Sequence, residues 1–255
     1  MRLYAFHCGG ENSLRSLFDP MDPACGEAMV VPYFFFLIQH AGVNVLFDTG
    51  MHPDTIHDKA RHFGADADLY DLLMAPGDDA ASLLAQVGVA SADVAHIVQS
   101  HLHYDHAGGA HLFPKAELVV QRDEYSYANY PASFFEPFYY KKNFELPGYR
   151  WRLLDGDTEL APGLTVLRTD GHTPGHQSLI VQLPQTGPVL LTGDACYWME
   201  HAERERVPGV VWNPTLALHS IKKINTVARL IGARIFPGHD PSFWKTVRQA
   251  PDSYR

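Results

Sequence analysis

Five apolar runs of this chain share one feature: each is followed, at or just past its end, by a histidine or an aspartate. HIVQS leads into His101, LTVLRTDG into His172, VLLTG into Asp194, IFPG into His239 and VLF into Asp48. Short apolar runs of this kind predict buried strands. In layered α/β folds, sites assemble where the carboxyl ends of strands meet. The pattern therefore predicts an α/β protein with its functional site at one sheet edge.

The rest of the chain supports one domain over residues 1–255, because no low-complexity tract, charge block or linker interrupts it. Further strands are predicted at VVPYFFFLIQH, AELVVQ and QSLIVQL. DDAASLLAQVG has helical periodicity, and Gly88 is the expected cap at its end. NPTLALHSIKKINTVARLIG predicts an amphipathic helix that starts near Asn213 or Thr215 and stops before Gly232.

Composition excludes some partners and compartments. A formal net charge of −9 argues against nucleic acid or an anionic membrane as the main partner. The longest apolar run, AMVVPYFFFLI, is about half the length of a membrane span and contains a proline. No signal peptide is evident, and Cys8, Cys25 and Cys196 form neither a disulfide framework nor a metal knuckle. A cytoplasmic location is expected.

The stretch QSHLHYDHAGGA contains three histidines and one aspartate within six positions. His101 and His103, two apart on an extended segment, point to the same side and can bind one cation. Asp105 and His106 follow on a turn and face a neighbouring position, and the small residues 107–109 are expected to let the backbone turn tightly. Histidine combined with carboxylate suits zinc or a similar divalent metal better than calcium or magnesium.

These motifs, taken in order, resemble the metallo-β-lactamase superfamily over nearly the whole chain. The series is DTG at 48–50, HLHYDH at 101–106, GHTPGH at 171–176, GD at 193–194 and GHD at 238–240. The resemblance implies an αββα sandwich, in which two mixed β-sheets pack together between flanking helices.

The same resemblance assigns the metal ligands. One metal is expected at His101, His103 and His172, a second at Asp105, His106 and His239, and Asp194 bridges both. Of the two histidines in GHTPGH, the family's ligand is the first, so His176 is assigned a supporting role. Asp48 is expected to orient the imidazole of a ligand.

The resemblance also indicates the type of chemistry. Superfamily members that bind two irons for redox work carry a glutamate at the position of His103, so a histidine there favours hydrolysis. Two divalent cations lower the pKa of water from 15.7 to about 7, and the shared hydroxide is a nucleophile at neutral pH. Zinc is expected, with cobalt, manganese or iron as alternatives.

Around these ligands the chain is most similar to the N-acyl homoserine lactonases, the quorum-quenching branch. The similarity lies in SHLHYDHAGG, VQRDEY at 120–125, GHTPGHQSL at 171–179, DACY at 194–197 and LALHSIKKI. It implies that Tyr197 donates a hydrogen bond to the lactone carbonyl as charge develops. Asp105 is then expected to hand a proton to the leaving alkoxide.

An acyl chain needs an apolar wall near the metals. The aromatic residues 125–151 either pack on a helix or form that wall, and residues 13–33 supply either another wall or a contact between copies in a homodimer. The predicted contacts to the substrate are Met21, Tyr104, Phe134 and Phe138.

Other functions stay open at this stage. A thioesterase of the glyoxalase II kind or a phosphoesterase shares all seven ligands. The commonest β-lactamases lack the pattern of Asp105 and Asp194. A binding protein with a vestigial site is disfavoured by the intact ligand set.

Overall fold

A computed structural model describes all 255 residues, which form two mixed β-sheets. The larger sheet has seven strands in the order β4-β1-β2-β3-β5-β6-β7, with parallel pairing from β3 to β7 and antiparallel pairing elsewhere. Its strands are β1 (Arg2–Leu14), β2 (Ala28–His40), β3 (Val43–Phe47), β4 (Asp71–Leu73), β5 (Val94–Val98), β6 (Glu117–Gln121) and β7 (Arg150–Leu154).

The smaller sheet has five strands in the order β12-β11-β10-β9-β8. They are β8 (Thr158–Ala161), β9 (Leu164–Arg168), β10 (Gln177–Leu183), β11 (Gly187–Leu191) and β12 (Arg234–Phe236). β11 and β12 pair in parallel, while β10 is antiparallel to both β9 and β11. β9, β11 and β12 therefore run in one direction and end at the same edge.

Most of the helices are short. They are α1 (Arg15–Phe18), α2 (Asp54–His57), α3 (Lys59–Phe63), α4 (Ala80–Ala85), α5 (Tyr104–Ala107), α6 (Arg122–Asn129), α7 (Met199–Arg204), α8 (Pro214–Ile231) and α9 (Pro241–Trp244). Turns of 3-10 helix span Gly64–Leu69, Ser91–Asp93, Ala110–Leu112, Ser133–Phe138, Lys141–Asn143 and Gly193–Ala195. No helix combines the length and the apolar character that crossing a membrane would require.

The apolar run of β2 is continuous because both faces of this strand are covered. Side chains alternate between the two faces of a strand. Phe34, Phe36 and Ile38 pack in the core between the two sheets. Tyr33, Phe35 and Leu37 pack on the opposite face, in a core that includes helical side chains at Phe63, Ala80 and Leu84. Two mixed sheets packed together, with helices on their outer faces, confirm the predicted αββα sandwich.

The outer face of the smaller sheet is covered by α8. Ile221 and Ile224 of this helix pack with Ile180 and Leu190 of the sheet. The side chain of Asn213 accepts hydrogen bonds from the first turn, and Gly232, at φ 68°, ends the helix in the left-handed region. Both ends of this helix lie where the sequence predicts them.

The end of helix α4 agrees with the sequence prediction. Gly88, at φ 75°, lies in the left-handed region; its N–H donates to the carbonyl of Ala85, and the N–H of Val89 donates to that of Leu84. These bonds close the end of the helix, so Gly88 is its cap as predicted.

One element differs from the sequence prediction. Residues 2–14, for which the sequence analysis predicts no element, form β1. The burial of β1 does not alternate cleanly, because Leu3 and Ala5 pack between the two sheets while Tyr4 and Phe6 pack in the core on the opposite face.

Candidate metal centre

The HLHYDH segment leaves β5 and enters a short helix. His101 and His103 lie before the helix, with His103 in extended conformation at its start, and Asp105 and His106 lie within α5. The other predicted ligands follow β9, β11 and β12. The ends of strands in both sheets thus meet at this site, as the sequence pattern predicts.

The two glycines after α5 have a different role from the predicted one. Gly108 and Gly109 have ordinary negative φ angles, so a tight turn is not what requires them. A Cβ on Gly108 would lie 2.3 Å from the backbone nitrogen of His52, and one on Gly109 would lie 2.4 Å from the carbonyl oxygen of Thr49. They are needed because the segment after α5 packs directly on the backbone that follows β3.

All seven predicted ligands converge. Three groups of potential ligand atoms each lie within 4.8 Å: His101 with His103 and His172, His101 with His106 and Asp194, and Asp105 with His106 and His239. His172 Nε2 is 3.1 Å from both His101 Nε2 and His103 Nδ1. His176 and Asp48, which the sequence predicts as supporting residues, belong to none of these groups.

Asp194 lies between the two histidine sets and presents one carboxylate oxygen to each. Its Oδ2 is 3.3 Å from His172 Nε2 and 3.7 Å from His101 Nε2. Its Oδ1 is 3.1 Å from His239 Nε2 and 3.2 Å from His106 Nε2. This geometry suits a carboxylate that bridges two cations.

The donor set fits two divalent metals. His106 Nε2 and Asp194 Oδ1 are buried without a hydrogen-bond partner, which is costly unless a cation satisfies them. Burial, together with the charges of neighbouring histidines, holds the pKa of His101 and His103 well below the ordinary value, so their nitrogens keep free lone pairs. Neutral imidazole is the form that binds a metal.

The second set has the opposite electrostatics. Burial disfavours the charged form of His106 and His239, but Asp194 and Asp105 outweigh it and raise the pKa of both imidazoles. Burial likewise disfavours the Asp194 anion, yet His106, His239 and His172 hold its pKa well below the ordinary value. The two carboxylates therefore favour a positive charge beside Asp105, His106 and His239.

Asp48 holds one ligand from behind. Its carboxylate accepts from His106 Nδ1 at 2.8 Å, from the Ser100 backbone N–H at 2.6 Å and from the Ser100 hydroxyl at 2.7 Å. Asp48 has φ 62°, the left-handed region that few residues other than glycine adopt. The fold keeps this conformation because it aims the carboxylate at the imidazole.

Two backbone carbonyls orient two of the predicted ligands, His172 and His239. His172 Nδ1 donates to the carbonyl of Val210 at 2.8 Å, and His239 Nδ1 donates to that of Pro32 at 2.9 Å. In each case Nδ1 carries the ring proton and donates it to the carbonyl, so Nε2 is unprotonated and faces the centre.

His176 is committed to a different contact. Its Nε2 accepts the backbone N–H of Asp194 at 3.0 Å, and its Nδ1 faces the hydroxyl of Thr169 at 2.9 Å. Burial lowers the pKa of His176 to about 3, so the imidazole is neutral. A lone pair that already holds the backbone of Asp194 cannot also bind a metal.

A cavity of about 300 Å³ opens above the centre. His103, Asp105, His172, Asp194 and His239 form its floor. Its walls include the predicted contacts Tyr104, Phe134 and Phe138, together with Leu17, Phe18, Leu69 and Pro137. A floor of potential metal ligands under largely apolar walls suits an amphiphilic substrate.

Tyr197 lies at the junction of floor and wall. Its ring packs on Phe18 and His239, with centroids 4.9 and 5.4 Å apart, and its hydroxyl is 3.3 Å from His172 Nδ1. Burial, with the charges of Asp194 and Asp105, raises its pKa well above the ordinary value. The phenol therefore stays protonated and can donate a hydrogen bond into the cavity.

Comparison with known families agrees with this geometry. Residues 29–239 match the model of the metallo-beta-lactamase superfamily. The chain belongs to the metallo-β-lactamase superfamily. Within that superfamily, the chain is 37% identical over 240 residues to N-acyl homoserine lactonase AttM of Azorhizobium caulinodans, covering 92% of this chain and 91% of the relative.

Other relatives agree. N-acyl homoserine lactonase AiiA of Bacillus thuringiensis subsp. kurstaki is 36% identical over 228 residues, covering 89% of this chain and 88% of the relative. A solved N-acyl homoserine lactone hydrolase has N-hexanoyl-L-homoserine, its product, at the catalytic metal centre. It superimposes with a TM-score of 0.89 at 33% identity, covering 99% of this chain and 98% of the other.

One predicted substrate contact of this superfamily member lies elsewhere. Met21 is 72% exposed and does not line the cavity; it lies three residues past the end of α1 at Phe18. Leu17 and Phe18, in the same predicted segment, line the wall instead. The spacing of residues around Met21 could not predict where that short helix stops.

The cavity also contains a residue that the sequence analysis did not identify. Glu11, on β1, is 9% exposed and lines the wall next to the floor. Burial raises the pKa of its carboxyl, and the charge of Asp105 adds to the shift. Nothing in the local sequence marks Glu11, since it is a single acidic residue in the stretch GGENSL.

Proposed function

We propose that this protein hydrolyses the lactone ring of N-acyl homoserine lactones with the help of two divalent metals. The observation that carries the proposal is the cavity: seven converging ligands and a protonated tyrosine lie beneath apolar walls. The relatives named above as N-acyl homoserine lactonases, and the product held at the catalytic metal centre of the similar structure, support it.

In this proposal, His101, His103 and His172 would hold one metal, Asp105, His106 and His239 would hold the other, and Asp194 would serve both. When bound, the metals supply Lewis acidity and lower the pKa of water to about 7. Zinc is the metal proposed, because imidazole and carboxylate donors suit it, with cobalt, manganese or iron as substitutes.

Tyr197 stabilises the charge that develops on the carbonyl oxygen. Its hydroxyl lies beside His172, at the edge of the floor, and its raised pKa keeps it a donor at neutral pH. A donor fixed in a water-poor site needs no reorganisation during the reaction. The ring packing on Phe18 holds the phenol in that position.

Asp105 is placed to move the proton that the leaving oxygen needs. Its carboxylate lines the cavity, with Oδ2 3.3 Å from His106 Nε2 and 3.6 Å from His239 Nε2. It therefore reaches both the second metal set and the substrate. A carboxylate in that position can accept a proton from water and deliver it to the alkoxide.

The test is a substrate panel with purified protein loaded with zinc. Short and long N-acyl homoserine lactones, a simple γ-lactone, a thioester, a phosphotriester and a β-lactam are compared by the acid that each hydrolysis releases. The proposal expects the highest kcat/KM on an acyl homoserine lactone, and loss of that activity on treatment with a chelator.

A second outcome would overturn the substrate assignment. If the thioester or the phosphotriester has a higher kcat/KM than every lactone, the metal site is hydrolytic but the lactonase proposal is wrong. A homodimer and a cytoplasmic location stay predictions, which sedimentation and fractionation of the source cells would measure.

A further inference from the structure

The wall of the cavity contains a polar cluster that the reaction itself does not require. Glu11 lies on β1, and the hydroxyl of Tyr104 donates to its Oε2 at 3.3 Å. Tyr33 lies on β2 beside it, and its buried hydroxyl faces the Glu11 carboxyl. Burying a carboxyl among aromatic rings costs free energy, so its place in the cavity needs a reason.

The cluster lies against the floor rather than at the mouth. In the pairing of β1 with β2, Gly10 faces Pro32 and Glu11 faces Val31, and Pro32 is the residue whose carbonyl holds His239. The Tyr33 ring contacts the His239 ring edge to face at 5.8 Å. A substrate with its reacting carbonyl on the floor therefore places the substituents nearest its ring beside Glu11.

We infer that Glu11 is a specificity-determining residue that accepts a hydrogen bond from the amide N–H of an acylamino lactone. This inference rests on the proposed function and names the part of the substrate that the cavity recognises. The amide is the polar group closest to the lactone ring, and an alkyl lactone of equal length offers no donor there. Leu17, Leu69 and Phe134 also line the cavity and offer apolar side chains, which suit the alkyl chain rather than the amide.

The rigid setting of Glu11 supports this role. The residue belongs to a strand that is paired on both sides, and the Tyr104 hydroxyl fixes its carboxyl. A preorganised acceptor selects among ligands because a ligand without a donor shields the carboxyl from water and adds no hydrogen bond in return. The fixed position of Glu11 in the sheet therefore favours acylamino lactones over alkyl lactones.

The experiment compares Glu11→Leu and Glu11→Gln with the wild type, all loaded with zinc. Two substrates are used: N-hexanoyl homoserine lactone, and an α-alkyl γ-butyrolactone whose chain has the same number of atoms. Glu159→Leu, the same replacement at an exposed strand position of the other sheet, is the matched control. Metal content and thermal midpoint are measured for every variant.

Glu11→Leu should lower kcat/KM on the acylamino lactone on the order of 10-fold and leave the alkyl lactone unchanged or faster. The loss should lie mainly in KM, because the amide contact exists in both the ground state and the transition state. Glu11→Gln, whose side-chain oxygen still accepts, should recover most of the selectivity.

An equal fall on both substrates would overturn the inference, because it would mean that Glu11 only supports the fold or the metals. An unchanged ratio of the two rates, with both lactones still hydrolysed, would also overturn it and leave the lactonase proposal standing. If the wild type hydrolyses no lactone, the proposed function fails, and the inference fails with it.

Discussion

Replacing Tyr197 by phenylalanine tests the mechanism while leaving the fold in place. The ring is 3% exposed and packs on Phe18 and His239, and phenylalanine preserves both contacts. Only the hydroxyl is lost. Its contact with His172 Nδ1 is long, at 3.3 Å, and that nitrogen already donates to Val210 at 2.8 Å. Metal content and thermal midpoint should therefore barely change, since one weak hydrogen bond contributes less than about 1 kcal/mol.

The effect on the rate should be much larger than the effect on stability. A donor aimed at a developing oxyanion contributes about 1–3 kcal/mol, which corresponds to a fall in rate of roughly 10 to 100-fold. The loss should appear in kcat at least as much as in KM, because the oxyanion exists only along the reaction path. The assay is steady-state hydrolysis of N-hexanoyl homoserine lactone by zinc-loaded protein.

A matched control separates this effect from the general cost of removing a buried hydroxyl. Tyr254 is 4% exposed, packs in the core between the sheets, and accepts a hydrogen bond from the backbone of Arg248 at 2.7 Å. Tyr254→Phe should lower the thermal midpoint and leave kcat unchanged. An unchanged kcat/KM for Tyr197→Phe, with metal retained, would refute the role of Tyr197 and favour a thioesterase or phosphoesterase.

Three further predictions concern the metals and the buried histidines. His172→Ala should lower metal content and activity together, whereas His176→Ala should keep most of the metal. Elemental analysis of both variants measures this, with about two metals per wild-type chain as the reference. The reverse pattern would contradict the ligand assignment. Asp48→Asn should weaken metal retention against a chelator about 10 to 100-fold without unfolding the chain, because asparagine tolerates the left-handed conformation. Burial lowers the pKa of His62 to about 3 from the ordinary 6.5. Between these two pH values the unfolded chain therefore binds more protons than the folded chain. Stability of the metal-free protein should therefore fall as pH drops below about 6.5, and His62→Phe should make that fall in thermal midpoint shallower.

The sequence predicts most of the metal floor because its signal is local. Several ligands follow an apolar run, and burial of that run in a sheet fixes where the next residue lies. His101, His172 and Asp194 are of this kind. The choice of His172 over His176 depends on resemblance alone at that stage, and the structure adds a physical reason: His176 Nε2 is occupied by the backbone of Asp194.

Other features depend on contacts between distant parts of the chain. The carbonyl of Val210 orients His172 from 38 positions away, and a backbone carbonyl has no residue-specific signal. Gly108 looks like a turn residue in sequence, but its close approach to the backbone of His52 is what excludes a side chain. Glu11 lies 93 positions before Tyr104, so no periodicity relates the two.

The floor and the walls of the cavity are built differently, and this bears on how substrate choice is set. The floor is held by backbone carbonyls and buried side chains such as Asp48, so its chemistry tolerates little change. Much of the apolar wall comes from short segments, α1 and the 3-10 turn Ser133–Phe138, where sequence changes disturb few backbone bonds. Glu11 differs from these wall residues, because it lies on β1, a strand that is paired on both sides. A change at Phe134 should therefore shift preference for acyl-chain length gradually, whereas a change at Glu11 should alter which class of lactone is accepted.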